Sequence, residues 1–334
     1  MSSPPRDGKD TALAIVAGID EAGFGPVLGP LVVSAAAFDV PDELAAVSLW
    51  ELLAAAVCRK PSRKKLKIAI DDSKKLFSGQ KAGSLQLLER GVLSMLAQLG
   101  ELPGTLGELA GLLSPSATEP MAAYPWYHSA DLAIPRCVAE TDIRLARNSL
   151  QAAMDSAGVR MAGMRCEVVF AGEFNRRVAA TNNKSSLLFD VTGCLLLWLW
   201  RASPGGRLTI VVDRHGGRMR YLPALQRLFD GCSFKILEEA DRLSAYRIAS
   251  PERQADILFL TEADRRQLPA ALASMTGKYV RELFMEMLNA YWTRQVPGLA
   301  PTAGYYTDGR RFFDQIGPAV RRLRVPENML YRSR

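Results

Sequence analysis

Acidic residues that follow apolar, strand-like segments are the part of this sequence best suited to chemistry. Asp20 and Glu21 are adjacent and follow the apolar run 13–17, and Asp213 directly follows the β-branched run 207–212. Burying neighbouring anions is costly unless a cation or hydrogen bonds compensate. Carboxylate oxygens are the ligands that magnesium and manganese prefer. These residues therefore predict a divalent-metal site, and a surface turn in which Asp20 and Glu21 are simply solvated is the alternative.

A fourth carboxylate has two candidates. Asp241 comes shortly after the apolar run 234–237, and Asp264 comes shortly after the run 257–261. Residue types and local pattern leave the choice between them open.

Other hydrolytic centres have little support in the composition. The chain of 334 residues contains two histidines, His128 and His215, so a histidine-based zinc site and a Ser-His-Asp or Cys-His arrangement are not expected. Its five cysteines are scattered and lack metal-ligand spacing, which is typical of reduced thiols in a cytosolic protein. A metal site built from carboxylates needs no protein nucleophile, which agrees with the absence of a Ser-His-Asp or Cys-His arrangement.

Alternating strand-like and helix-like patterns predict an α/β protein. Glycines and prolines between residues 23 and 30 exclude a helix there, so the apolar runs 13–17 and 31–38 predict a hairpin. Further strands are expected at 167–173 and 207–212, and helices at the following ranges: 42–58, 85–96, 140–157, 187–200 and 274–292. The run 186–200 is interrupted by Asp190 and is short for a membrane span, so we expect a buried helix and no membrane partner.

Positive charge predicts a polyanionic partner. The net charge is +7, and the segment 59–67 and the stretch Asp72-Ser73-Lys74-Lys75-Leu76 are rich in lysine and arginine. Such runs either face phosphates or are solvated loops. The aromatic residues of 124–127 would either stack on nucleobases or fill a small satellite core, and the second is favoured.

Several motifs in order resemble those of the ribonuclease HII family. Gly18-Ile19-Asp20-Glu21-Ala22-Gly23-x-Gly25-Pro26 resembles the first signature of that family. The later matches are Asp72-Ser73-Lys74-Lys75-Leu76, a strand ending in Asp213, Ser274-x-x-x-Lys278, Gly304-Tyr305-x-Thr307 and Gly317-Pro318. Two departures are Phe24, where the family has arginine, and Arg214, where it has glycine.

The resemblance implies a ribonuclease H-like α/β fold, with a mixed central sheet flanked by helices, insertions and a C-terminal helical part. It implies a loose tail over residues 1–12 and a catalytic domain over 13–273. Insertions are expected near 98–158 and 214–256, the second as a hairpin that extends the sheet edge. Residues 274–334 would complete a nucleic-acid-binding surface.

The resemblance also implies four metal-ligating catalytic acids, Asp20, Glu21, Asp213 and Asp264. Asp264 lies 14 residues before Lys278, which matches the family spacing, whereas Asp241 lies 37 residues before it and is the reserve candidate. Two divalent ions, Mg²⁺ or Mn²⁺, would be held roughly 3.5 to 4 Å apart and hydrolyse the RNA strand of RNA–DNA hybrids.

Nucleic-acid contacts are implied for eight residues: Gly23, Phe24, Gly25, Ser73, Lys74, Lys75, Lys278 and Tyr305. Loss of the arginine to Phe24 removes a phosphate contact and makes cleavage at a single embedded ribonucleotide doubtful. We expect a cytoplasmic monomer. The alternatives are a catalytically weak nucleic-acid-binding paralogue and a ribonuclease H-like nuclease that acts on another structured nucleic acid, such as a DNA junction.

Overall fold

A computed structural model describes residues 12–61, 67–77, 79, 83–100, 102–129, 131–203 and 205–333. The predicted tail 1–12, apart from its last residue, and the basic residues 63–65 lie outside the described residues.

The protein is built around a mixed seven-stranded sheet. In chain order, the strands are β1 Leu13–Ala22, β2 Leu31–Pro41, β3 Val57–Cys58, β4 Ile68–Ala69, β5 Arg160–Val169, β6 Arg207–Asp213, β7 Ser233–Glu239, β8 Leu243–Ala249 and β9 Gln254–Leu260. The large sheet has the order β5-β2-β1-β6-β9-β8-β7, and β3 and β4 form a separate parallel pair. In the large sheet β1, β6 and β9 are parallel, and the other neighbouring pairs are antiparallel.

Helices cover both faces of this sheet. They are α1 Leu49–Leu52, α2 Ser73–Leu76, α3 Gln86–Leu96, α4 Leu106–Leu113, α5 Thr118–Ala122, α6 Glu140–Ala157, α7 Ala171–Thr181, α8 Lys184–Ala202, α9 Leu222–Leu228, α10 Leu268–Gln295 and α11 Tyr306–Arg322. The predicted α/β architecture with a C-terminal helical part is confirmed. Helix α10 runs without a break across residue 273, where the sequence placed a division of the chain.

Alternation along β1 sends side chains to two hydrophobic clusters. Val16 belongs to the cluster beneath α10, whereas Ile15 and Ala17 belong to the cluster beneath α8. Helix α10 crosses β1 and β2 on one face, and α8 contacts β1, β2 and β5 on the other. By length and composition α8 would qualify as a membrane span, and half of its most apolar stretch is buried. Its packing agrees with the predicted buried helix.

Some sequence-based boundaries are wrong. The helix predicted over 42–58 is reduced to α1, because residues 57–58 pair with residues 68–69 as a strand. The strand predicted over 167–173 lies at 160–169, and helix α7 begins at residue 171. The hairpin predicted within 214–256 is confirmed: β7 and β8 are antiparallel and form the end of the sheet beyond β9.

The aromatic residues of 124–127 lie in the main core and not in a satellite core or on a nucleobase-stacking surface. Tyr124, Trp126 and Tyr127 are each at most 5% exposed. The Tyr127 ring lies 5.0 Å from that of Phe284 in α10, and the Trp126 ring lies 5.8 Å from that of Trp292. Residues 124–127 therefore belong to the same folded unit as α10.

Glu89 in α3 holds the segment 136–138, which precedes α6. Its fully buried carboxylate accepts hydrogen bonds from the backbone amides of residues 136, 137 and 138 at 2.5–2.9 Å and from the Tyr279 hydroxyl at 2.9 Å. Glu89→Gln turns an amide NH₂ toward these donors and leaves part of them unsatisfied. We expect a loss of about 2 kcal/mol in the free energy of unfolding.

Chemical denaturation measures this loss, with Glu140→Gln as the matched control. Glu140 is exposed and pairs only with Arg144 within one helix, so its replacement should cost under about 0.5 kcal/mol. Equal effects of the two changes would contradict the role given to Glu89.

Candidate metal centre

Three neighbouring parallel strands, β1, β6 and β9, bring the predicted acids together at their carboxyl ends. Asp20 and Glu21 lie near the end of β1, and Asp213 is the last residue of β6. The register places Ile19 opposite Val212, so the acids that follow lie side by side. Leu260 of β9 is opposite Asp213, and Asp264 lies in the short turn 263–265 that follows β9.

The structure groups three of the four acids tightly. Carboxylate oxygens of Asp20, Glu21 and Asp213 lie within 4.8 Å of one another. Asp264 lines the same cavity, which has a volume of about 290 Å³, but it is not part of the tight group. The reserve candidate, Asp241, is exposed in the turn between β7 and β8 and does not line this cavity.

The acids are held in an environment that opposes their charge. Burial, followed by repulsion from Glu21 and Asp213, raises the pKa of Asp20 well above its ordinary value, against a hydrogen bond from Ser274. Burial and the Asp213 charge raise the pKa of Glu21 to about 8. Burial, with the charges of Asp72 and Asp213, raises the pKa of Asp264 to about 6. Desolvation of clustered like charges is the common cause.

This donor set fits a divalent cation. All of its ligand atoms are carboxylate oxygens, which are hard ligands. Among the described residues, no lysine or arginine forms an ion pair with any of the four acids. A bound cation would supply the missing positive charge and lower the raised pKa values.

The stability of the protein should therefore depend on pH and metal together. The pKa of Glu21 rises from 4.5 to about 8 on folding, so the folded state binds more protons between these values. Without metal, stability should fall as the pH rises from about 4.5 to about 8. We expect Mn²⁺ at a hundredfold excess over its Kd to stabilise the protein by about 3 kcal/mol at pH 8.5 and by much less at pH 5.5.

Thermal unfolding at both pH values, with and without Mn²⁺, measures this dependence. In Glu21→Gln the fall in stability with rising pH should be smaller, because one buried charge is removed. A metal-induced shift in Tm that is the same at both pH values would contradict the expectation.

Most of the predicted nucleic-acid contacts line the same cavity. They are Gly23, Phe24, Gly25, Ser73, Lys74, Lys278 and Tyr305. The side chain of Tyr305 is 56% exposed at the cavity. Lys75 does not line the cavity, and its ammonium group lies 3.2 Å from the Asp71 carboxylate. Lys278 lies 2.5 Å from Glu282, so its charge is partly compensated.

Four residues that line the cavity were not among the predicted site residues: Ala22, Pro26, Ser274 and Arg281. Ser274 bonds to Asp20, and its hydroxyl lies 3.0 Å from that of Ser73. Arg281 is 1% exposed and lines the cavity from below. The spacing of Ser274 and Arg281 in the sequence could have indicated this, because residues 274, 278 and 281 share one face of α10 and residue 278 was a predicted contact.

Arg214, which departs from the family pattern, binds the hairpin formed by β7 and β8. Its guanidinium group donates to the backbone oxygens of Ala240 and Asp241 and to the Ser244 hydroxyl. The residue after Asp213 thus ties the turn between β7 and β8 to the end of β6.

Comparison with known proteins gives similarity in structure only. No protein-family sequence profile and no curated protein sequence matches the chain. Solved structures similar to it include ribonuclease HII from Archaeoglobus fulgidus in a complex with PCNA, at 15% identity and a TM-score of 0.41, covering 96% of this chain and 94% of the other. Ribonuclease H2 from Pyrococcus horikoshii OT3 has 16% identity and a TM-score of 0.44, with 95% and 92% covered.

Bst-RNase HIII in complex with Mn²⁺ is also similar, at 16% identity and a TM-score of 0.43. The match covers 96% of this chain and 65% of the longer RNase HIII. These three solved structures are of a ribonuclease HII, a ribonuclease H2 and a ribonuclease HIII. Few residues are shared at these identities, so the chemistry of the site rests on the chain's own geometry.

Proposed function

We propose that this protein is a metal-dependent endonuclease of the ribonuclease HII type that hydrolyses the RNA strand of RNA–DNA hybrids. The observation that carries the proposal is the group of Asp20, Glu21 and Asp213, with their oxygens within 4.8 Å of one another. This group shares a cavity with Asp264, two lysines and two aromatic side chains. Carboxylates beside cations and aromatic rings suit a substrate with phosphates, sugars and bases.

Asp20, Glu21 and Asp213 would hold the metal, and Asp264 would complete the ligand set. Two Mg²⁺ or Mn²⁺ ions are the proposed cofactors, and when bound they supply an activated water and stabilise the leaving oxygen of the phosphodiester. The chain's own contribution is to hold four carboxylates in a largely buried site.

The remaining cavity residues would bind and orient the substrate. Lys74 lowers the pKa of Glu21 through its charge, so it lies close enough to attract a phosphate near the acids. Tyr305 and Phe24 both line the cavity and offer aromatic faces to a sugar or a base. We further propose that the protein acts as a cytoplasmic monomer.

A catalytically weak nucleic-acid-binding protein is the second candidate. Phe24 favours it, since this position in the glycine-containing loop carries no charge for a phosphate. The four retained acids favour an enzyme, because a protein that only binds nucleic acid has no need of clustered carboxylates that repel phosphates.

Cleavage of labelled substrates tests the proposal. We expect the purified protein to cut the RNA strand of a hybrid in Mg²⁺ or Mn²⁺, to leave 3′-hydroxyl and 5′-phosphate ends, and to be inactive in EDTA. Parallel reactions contain a duplex with one ribonucleotide and a branched DNA. Binding of the hybrid without cleavage in either metal would favour the second candidate, and cleavage of the branched DNA alone would favour a different nuclease.

A further inference from the structure

Arg332 lies beneath the loop that lines the metal cavity. We call residues 23–26 the glycine loop, and all four line the cavity. The Nη2 atom of Arg332 donates to the backbone oxygen of Gly23 at 2.6 Å and to that of Pro26. The backbone amide of Arg332 donates to the Val27 oxygen at 2.8 Å. A residue more than 300 positions away in the chain thus binds both ends of the glycine loop.

Within the part of the chain that the structure describes, the charge of Arg332 is buried without an acidic partner. The side chain is 1% exposed, and its guanidinium group lies 4.7 Å from the Phe174 ring centre. Among the described residues, its Nε and Nη1 atoms have no hydrogen-bond partner. Burial, with repulsion from Arg281, lowers the pKa of Arg332 to about 9. A buried cation without a carboxylate destabilises a fold, so its two bonds to the glycine loop call for a functional explanation.

Those bonds determine which backbone groups the loop offers to the cavity. The oxygens of Gly23 and Pro26 are turned toward Arg332, which does not line the cavity. Within the described part of the chain, no group accepts a hydrogen bond from the Phe24 or Gly25 amide. The loop is left with amide donors between the two restrained carbonyls, and amide donors bind phosphate and sugar oxygens.

The same restraint reaches the aromatic side of the cavity. The Val27 and Leu28 amides, directly after the glycine loop, donate to the Gly304 oxygen at 2.8 and 3.2 Å. Gly304 precedes Tyr305, the exposed ring at the cavity. Arg332 therefore acts on the glycine loop and, through it, on the turn that carries Tyr305.

We infer that Arg332 is a positioning residue, which holds the glycine loop so that its amides bind the sugar–phosphate strand of the substrate. The inference rests on the proposed function in that this substrate is a nucleic acid. Position 24 carries phenylalanine, and Arg332 binds the loop without lining the cavity.

Hydrogen exchange tests the inference independently of catalysis. In Arg332→Met we expect the Val27 and Leu28 amides, which donate to the Gly304 oxygen, to exchange about tenfold faster or more, while those of β1 keep their protection. Arg332→Lys keeps the charge but reaches fewer acceptors, so its amide exchange rates should lie between those of Arg332→Met and the wild type. Arg144→Met, which removes an exposed arginine of α6, is the control and should change neither segment. If Arg332→Met fails to fold, Arg332→Lys decides.

Kinetics then test the functional part. For a hybrid substrate we expect kcat/KM of Arg332→Met to fall about 10- to 100-fold, mainly through KM, with partial recovery in Arg332→Lys. The affinity for Mn²⁺ should stay within about twofold of wild type, since the acids lie on β1 and β6. Unchanged exchange at the Val27 and Leu28 amides, or a parallel loss of Mn²⁺ affinity, would overturn the inference. If the wild type binds a hybrid without cutting it, the proposed function fails, and the exchange result together with the hybrid Kd still decides the role of Arg332.

Discussion

Asp20→Asn is expected to lower metal-dependent cleavage of an RNA–DNA hybrid by about 10³-fold or more. Asp20 is 7% exposed and is grouped with Glu21 and Asp213. Asparagine keeps the shape of the side chain and one oxygen, so the fold should survive. It removes the negative charge that a bound cation needs, and loss of about 4 kcal/mol of transition-state stabilisation corresponds to 10³-fold in rate.

Single-turnover cleavage at saturating Mg²⁺ measures this effect, with hybrid binding measured alongside. Asp190→Asn is the control, because Asp190 is an exposed residue of α8. The Asp190→Asn variant should cleave the hybrid at the wild-type rate. Undiminished cleavage by Asp20→Asn would show that the activity does not belong to this site, and the assignment of all four acids would be rejected.

Gly18→Ala is expected to destabilise the whole fold by about 3 kcal/mol or more. A Cβ atom at this position would lie 2.0 Å from the Ala270 nitrogen and 2.3 Å from the Pro269 carbonyl carbon. Both are backbone atoms of α10, so they cannot turn aside as a flexible side chain would. Helix α10 would have to move away from β1 and β2, at the cost of the core between them.

Urea unfolding of the two proteins measures this loss. Gly111→Ala is the matched control, since among the described residues no atom outside the neighbouring backbone of its own helix lies within 4 Å of a Cβ added there, and alanine favours the helix α4 that contains it. It should be neutral or slightly stabilising. The displacement of α10 in Gly18→Ala should also disturb the metal site, because Ser274 of α10 forms a hydrogen bond with Asp20. Gly18→Ala with wild-type stability would show that α10 has room to shift.

Local pattern was sufficient to predict one strand that ends in an acid and three of the long helices. Strand β6, with Asp213 at its end, and the helices α3, α6 and α8 were predicted close to their observed limits, because apolar periodicity and chain-breaking residues act over a few neighbouring positions. The edge hairpin β7–β8 was expected from the family resemblance, which left residues 214–256 as an insertion, and not from local periodicity. Where a short segment is governed by a distant partner, as residues 57–58 are by residues 68–69, the local pattern failed.

By itself, the sequence determined the residue types of the site and their places at the ends of apolar runs. Only the tertiary structure decided that Asp20 and Asp213, nearly 200 positions apart, lie side by side, since that depends on the parallel register of β1 and β6. It also decided that Asp264 and not Asp241 lines the cavity, and that Arg332 binds the glycine loop. Contacts between distant segments depend on how the whole chain packs, and no local propensity encodes them.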